Sequence, residues 1–152
     1  MNGFFKLNED GSTSLDLSIE NPGTEFKELF SLIPNAYKGN FKELQSTGDF
    51  NLKGRVVGVY NSNRKIYPDW DFILKAKNGG IQYPGMPVSL QKVNLDLTTA
   101  NKGPGLDKAF IQINPMSFEL NNNLFLGNLN LTQLSDNIHI DGKIAGKISL
   151  DD

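Results

Sequence analysis

The sequence predicts a mostly β fold: a curled, strongly twisted antiparallel sheet (a β-groove or taco-like sheet) with one short amphipathic helix. Three observations lead to this prediction: many turn residues, apolar residues that alternate with polar ones, and one segment with helical spacing. The chain of 152 residues contains 15 Gly, 7 Pro and 18 Asn. Asn and Gly tolerate positive φ and Pro presets a turn, so clusters of these residues predict turns.

Clusters of turn residues divide the chain into short segments. They lie mostly about 8–20 residues apart, a spacing that predicts strands joined by hairpins and therefore an antiparallel sheet of roughly eight to ten strands. The clusters are Asp10-Gly11, Asn21-Pro22-Gly23, Asn61-Ser62-Asn63, Asn78-Gly79-Gly80, Pro84-Gly85-Met86-Pro87, residues 101–105, Asn114-Pro115, Asn121-Asn122-Asn123 and Asp136-Asn137.

The segments between the turns alternate apolar and polar residues with period two, as strands with one buried face do. Leu15, Leu17 and Ile19, for example, alternate with Asp16 and Ser18. One face of the predicted sheet therefore carries large apolar side chains. Eight of them are predicted to point inward: Phe72, Leu74, Leu95, Leu97, Ile111, Ile113, Phe118 and Leu120.

Glycines within the strands predict the curl. The segment 50–60 begins with apolar residues at even positions, but its last valines fall at odd positions, beside Gly54 and Gly58. A change of parity beside glycine predicts a β-bulge, and bulges bend a sheet. Gly142 and Gly146 predict the same bending in the last strand.

One segment, 24–33, has helical spacing. Thr24 suits the N-cap and Pro34 the C-terminal end, and a second helical turn is predicted to begin at Asn40. Helices this short are marginal alone, so the apolar side of the first one is predicted to dock on the sheet, where it either plugs the end of a groove or completes its core. That side consists of residues at positions i, i+3, i+4 and i+7: Phe26, Leu29, Phe30 and Ile33.

The composition argues against several classes of function. The net charge of −2 argues against a nucleic-acid partner. No apolar run approaches the roughly 20 residues of a membrane-spanning helix. The chain has no Cys, which excludes disulfides and thiolate chemistry.

No set of residues predicts catalysis, a metal or a cofactor. His139 is the only histidine, and alternation with Ile138 and Ile140 places it on the side away from the apolar residues, facing solvent. Asp69 and Asp71 share a face, where a solvated polar surface is favoured over a carboxylate pair for acid–base chemistry or calcium. The sequence therefore predicts a protein that is not an enzyme.

The apolar face is larger than one short helix can cover. Such a sheet must acquire a second layer, curl on itself or hold an apolar ligand, although packing of a core accounts for the same residues equally well. Two functions follow. One is a non-catalytic groove that shields acyl chains, and the other is a structural scaffold with a fully packed core that holds partner proteins.

Five segments resemble the C-terminal regions of the AsmA-like family of Gram-negative envelope proteins. Segments 26–34 and 41–54 are similar to the family's pattern FKELLSLIP followed by F…L…G…F.L.G, and segment 77–87 is similar to its pattern NG-x-x-x-YP-x-x-P. The resemblance covers most of the chain, from about residue 24 to 150. The segments are 26–34, 41–54, 77–87, 93–97 and 141–150.

The resemblance implies a periplasmic protein with a role in outer-membrane assembly, anchored by an N-terminal inner-membrane helix in its full-length form. Larger relatives, including TamB-like proteins, form long curled β-sheets with an apolar groove, which implies phospholipid transport between the membranes. This chain lacks the membrane helix, so we expect one β-groove domain, 1–152, excised from a longer protein. The implied partners are a phospholipid or other acyl-chain ligand and envelope proteins.

Overall fold

The structure, a computed structural model, describes residues 2–25, 45–85 and 87–147. Within these ranges the chain forms one open sheet of eight strands in chain order, and every neighbouring pair is antiparallel. The mostly β, antiparallel class is confirmed, whereas the strong curl stays a prediction. The strands are β1 (Asn2–Leu7), β2 (Thr13–Glu25), β3 (Gln45–Tyr60), β4 (Asp69–Gln82), β5 (Leu90–Asn101), β6 (Phe110–Leu120), β7 (Asn123–Thr132) and β8 (His139–Gly146).

The predicted helix lies mostly outside the described residues. Thr24 and Glu25, predicted as its first residues, extend strand β2 instead, because they continue the pairing with β3 beyond a register shift. The rest of the segment, with the second helical turn predicted at Asn40, falls in 26–44, outside the described residues. The same holds for the four residues of its apolar side: Phe26, Leu29, Phe30 and Ile33.

Six of the nine turn clusters connect strands, as predicted, and three lie inside strands. Asn21-Pro22-Gly23 lies within β2, Asn78-Gly79-Gly80 within β4 and Asn114-Pro115 within β6, and the pairing register shifts at each of them. Bulges and turns favour the same residue types. Both accommodate residues with positive φ, and both tolerate proline because its missing N–H is not needed for a ladder hydrogen bond there. The turn predictions at these three clusters are therefore wrong, and the clusters are bulges.

The bulges predicted beside Gly54 and Gly58 of β3, and beside Gly142 and Gly146 of β8, do not occur in these described strands. β3 keeps one register with β4 from Asp49 to Val57 and with β2 from Leu52 to Tyr60, and β7 and β8 keep one register throughout. Val57 stays on the side opposite the apolar residues and exposes 39% of its surface. In the sequence, Val57 looks like the start of an apolar series at odd positions. It is instead an exposed valine on the polar side, where β-branched residues are also favoured in strands. Glycine at 54 has another role: a β-carbon there would overlap the Phe72 ring, which lies across it.

The buried core of the sheet is small and lies on β3 and β4. Phe50, Leu52 and Ala76 form it, with exposed fractions of 1%, 9% and 2%. Most other apolar residues on the same side are half-buried. Extensive contacts between described strands occur only between neighbours in chain order, so no described strand forms a second layer over this side.

Asn101 joins two connections at one end of the sheet. Its side chain is fully buried, and Nδ2 donates hydrogen bonds to the carbonyl oxygens of Pro68, at 3.1 Å, and Gly103, at 3.2 Å. The Gly103 N–H donates to Oδ1 of Asp69 at 2.8 Å. These bonds hold the β3–β4 and β5–β6 connections together, so Asn101 and Asp69 have structural roles.

Candidate functional site

The candidate site is one side of the sheet, which we call the apolar face. Its residues alternate with polar residues along each strand, and the pairing registers place them on the same side. The apolar face includes Phe5, Leu7, Leu15, Leu17, Ile19, Phe50, Leu52, Val56, Trp70, Phe72, Leu74, Ala76, Ile81, Leu90, Val93, Leu95, Leu97, Ile111, Ile113, Met116, Phe118, Leu120, Phe125, Leu129, Leu131, Ile140 and Ile144.

Five aliphatic residues form a row across the middle of the apolar face. The registers align, in order from β3 to β7, Leu52, Leu74, Leu97, Ile113 and Leu129. We call these residues the central row. Because neighbouring strands lie about 4.8 Å apart, the central row is about 19 Å long, and no polar side chain interrupts it.

Small or polar residues interrupt the rows on either side of the central row. On one side the row through Phe72 contains Gly54 and Thr99. On the other side Ala76 and Gly127 lie where large side chains would continue the row. The central row is therefore the longest run of large aliphatic side chains across the described strands.

All eight residues predicted to point inward lie on the apolar face, and each is half-buried. The structure brings only some of them together. Three share the central row, Phe72 and Ile111 lie in the next row, and Leu95 lies in the row on the other side. The three in the central row are Leu74, Leu97 and Ile113.

Phe118 and Leu120 lie apart from the central row, near the β6–β7 turn. The Phe118 ring stacks on that of Phe125, with ring centroids 5.2 Å apart. Leu52 and Leu129 complete the central row but are not among the eight predicted residues. Alternation within their strands indicates the correct face for both, but only the pairing between strands shows that they align with the others.

The opposite face of the sheet is charged, and several of its charges are paired. Nη2 of Arg55 lies 2.9 Å from Oδ1 and 3.0 Å from Oδ2 of Asp16 and donates to both oxygens. Nζ of Lys75 lies 3.4 Å from Oδ2 of Asp96. Exposed pairs of this kind contribute little to stability, but they identify this face as the solvated side of the sheet.

The acid–base candidates do not assemble into a catalytic group among the described residues. His139 is exposed, as predicted. Asp69 accepts the Gly103 N–H, while Asp71 lies on the charged face opposite Arg55. Within the described ranges no group of three or more His, Asp or Glu residues could hold a metal ion.

Comparison with known proteins gives no match: no family model, curated protein or solved structure matches the chain. The resemblance to the AsmA-like family therefore stays a prediction. Among the described residues, none belongs to a helix that could cross a membrane.

Proposed function

We propose that this protein binds the acyl chains of lipids on its apolar face and has no catalytic role. In the setting that the AsmA-like resemblance implies, it is a periplasmic β-groove section of a longer, inner-membrane-anchored protein that transports phospholipid during outer-membrane assembly. The central row is the observation that supports acyl-chain binding most directly.

An extended acyl chain suits the central row in both length and chemistry. The row is about 19 Å long and consists of aliphatic side chains alone. Removing apolar surface from water stabilises a complex by roughly 25 cal/mol per Å², and each buried CH₂ contributes about 0.8 kcal/mol. Contact along part of the row therefore supplies a large favourable free energy.

The central row has apolar surface left to cover. Leu52 exposes only 9% of its surface, whereas the other four members are half-buried. At the β8 edge, Ile140 and Ile144 expose 64% and 63%. We therefore expect an acyl chain to contact β4 to β8 rather than the buried centre of the sheet at β3.

An acyl chain suits this surface better than an extended peptide does. A peptide has N–H and C=O groups that need hydrogen-bond partners when they are buried. The central row offers aliphatic carbon only, so a peptide lying along it would leave polar groups unpaired. An acyl chain makes no such demand.

Fluorescence of Trp70 tests the proposal, because Trp70 is the only tryptophan and lies on the apolar face. Bromine on an acyl chain quenches a tryptophan that it contacts. We expect Trp70 to emit less with vesicles of phosphatidylethanolamine and phosphatidylglycerol that carry brominated acyl chains than with the same vesicles without bromine. Native mass spectrometry of the gently purified protein should show bound phospholipid.

Two matched variants on β7 locate the site. Leu129→Asp places a carboxylate in the central row and is expected to weaken lipid binding at least about tenfold. Leu126→Asp makes the same change on the opposite face, at a side chain that is 54% exposed, and should bind as the unmodified protein does. Circular dichroism checks that both fold, and Leu129→Thr replaces Leu129→Asp if that variant does not.

Two results would overturn acyl-chain binding: a lipid-free protein in the mass spectrometer, or equal lipid binding by the two β7 variants. Quenching of Trp70, which lies four residues along β4 from Leu74, about 13 Å away, would show that bound chains also cover the rows beside the central row. A lipid-free protein would favour the alternative function, a structural scaffold that holds partner proteins.

A further inference from the structure

Among the residues that the structure describes, strand β8 is an edge of the sheet. It pairs with β7 on one side, and all eight of its residues are exposed. Alternate residues of an edge strand present free N–H and C=O groups that can pair with another strand. β8 contains no proline, and its residues read His-Ile-Asp-Gly-Lys-Ile-Ala-Gly.

We propose that β8 pairs with β8 of a second copy of this chain, antiparallel and centred on Gly142, to form a two-fold symmetric dimer. In this register Asp141 faces Lys143 of the second copy, and Ile140 faces Ile144 of the second copy. The strand is therefore complementary to itself in both charge and apolarity.

Charge complementarity selects this register. By symmetry the dimer contains two Asp–Lys pairs, both on the charged face. Sliding the strands by two residues in either direction places Asp141 opposite itself or Lys143 opposite itself, and like charges directly opposite each other destabilise a strand pair. Sliding by one residue places apolar residues opposite polar ones.

The two charged residues have no ionic partner among the described residues of their own chain. Asp141 lies opposite Asn130 and Lys143 opposite Asn128 on β7. Some other charges of this face are paired within the chain, as Lys75 is with Asp96. The second copy supplies the missing partner charges.

The apolar residues of β8 favour the same pairing. Ile140 and Ile144 project from the apolar face, and cross-strand pairs of β-branched residues stabilise a sheet. Directly opposed residues of an antiparallel pair point to the same side, so the apolar faces of both copies lie on one side of the extended sheet. The dimer therefore continues the apolar face across the two-fold axis.

Strand β1, the other edge of the sheet that the described strands form, suits a partner less well. It has six residues and one charge, Lys6, which could face Asp141 of another copy. Each such head-to-tail contact forms one charge pair. It leaves β1 of one terminal copy and β8 of the other unpaired, so further copies can add and the assembly is not closed. The β8 pairing forms two charge pairs and closes.

Charge exchange tests the register in the full chain without lipid, by analytical ultracentrifugation. We expect a monomer–dimer equilibrium. Lys143→Asp places Asp opposite Asp twice and should weaken association about tenfold or more, and the double variant Asp141→Lys/Lys143→Asp should restore it. Lys102→Asp, an exposed change in the β5–β6 connection, is the matched control and should leave association unchanged.

Cysteine pairing gives a second measurement, because the chain has no cysteine of its own. In the proposed register His139 faces Ala145 of the second copy, with Cα atoms about 5 Å apart, within the range for a disulfide. His139→Cys mixed with Ala145→Cys should form an oxidised dimer. Each variant alone should not, since equivalent residues lie roughly 20 Å apart.

A protein that stays monomeric at all concentrations overturns the proposal. So does a double charge variant that associates as weakly as Lys143→Asp alone, or a cysteine mixture that does not cross-link. Assemblies larger than a dimer that Lys6→Asp disrupts would show that β8 pairs with β1 instead. Because no lipid is present, these outcomes are separate from acyl-chain binding.

Discussion

The indole of Trp70 donates a hydrogen bond from Nε1 to Oγ1 of Thr99 at 3.0 Å, across strands β4 and β5. The Thr99 hydroxyl in turn donates to the carbonyl oxygen of Phe110 on β6 at 2.7 Å. One hydroxyl therefore satisfies two polar groups on the apolar face and links three consecutive strands.

Thr99→Val is expected to destabilise the fold by about 1–3 kcal/mol, because the indole N–H and the Phe110 carbonyl each lose a partner while the shape of the side chain is kept. Urea unfolding measures the loss. Thr98→Val, on the opposite face of the same strand, is the matched control and should change the free energy of unfolding little. Equal losses in both variants would contradict the role of the hydroxyl.

Gly146→Ala is expected to destabilise the fold by about 1–3 kcal/mol, as overpacking does. A β-carbon at Gly146 would overlap the Phe125 ring, which lies across it and covers the glycine. In a Phe125→Leu background the added cost of Gly146→Ala should shrink, which a double-mutant cycle measures. Gly105→Ala, in a connection where the nearest atom is the Asp107 carboxylate at 3.5 Å, is the control and should be near neutral.

The turn between β1 and β2 lowers the pKa of Asp10 below its ordinary value of 3.8, chiefly through Ser12. The Ser12 hydroxyl donates a hydrogen bond to Oδ1 of Asp10 at 2.6 Å, and the Ser12 backbone N–H donates to the same oxygen at 3.0 Å. The positive charge of Arg64 lowers the pKa by a smaller amount. These bonds favour the charged carboxylate. Their stabilisation is therefore present above the unfolded pKa and is lost as the pH falls through the folded pKa.

Ser12→Ala should raise the pKa of Asp10 toward 3.8, because the strongest hydrogen bond to the carboxylate is removed. Titration of the side-chain carboxyl by NMR measures the pKa. Arg64→Gln should raise it less, since the charged groups lie 3.9 Å apart on the surface. A pKa that Ser12→Ala leaves unchanged would show that the backbone N–H alone holds it down.

Local sequence patterns predict the strands and their faces but not the positions of the bulges. Alternation predicts the apolar side of β4 and β5 because side chains on a strand point to opposite sides in turn. It fails at Val57, because an exposed valine looks the same in sequence as a valine on the inner side of a shifted strand. It also takes Asn114-Pro115 for a turn, because a bulge and a turn require the same residues.

The central row depends on how strands align with one another, and this information is not contained in any single strand. Leu74, Leu97 and Ile113 can be chosen from alternation alone. Only the pairing registers show that Leu52 and Leu129 lie in the same row as these three residues. The hairpins and the bulges together determine those registers. Acyl-chain binding stays a prediction, which the lipid-binding measurements test.

The chain-order sheet, in which extensive contacts join only sequential strands, has a consequence for how the fold comes apart. In such a linear array, stability is approximately a sum over adjacent interfaces. In the monomer we expect β1 and β8, which have one neighbour each among the described strands, to open first, while the β3–β4 hairpin around Phe50 persists longest. Unfolding should thus proceed from the margins toward the middle, and amide hydrogen exchange should slow gradually along the same direction.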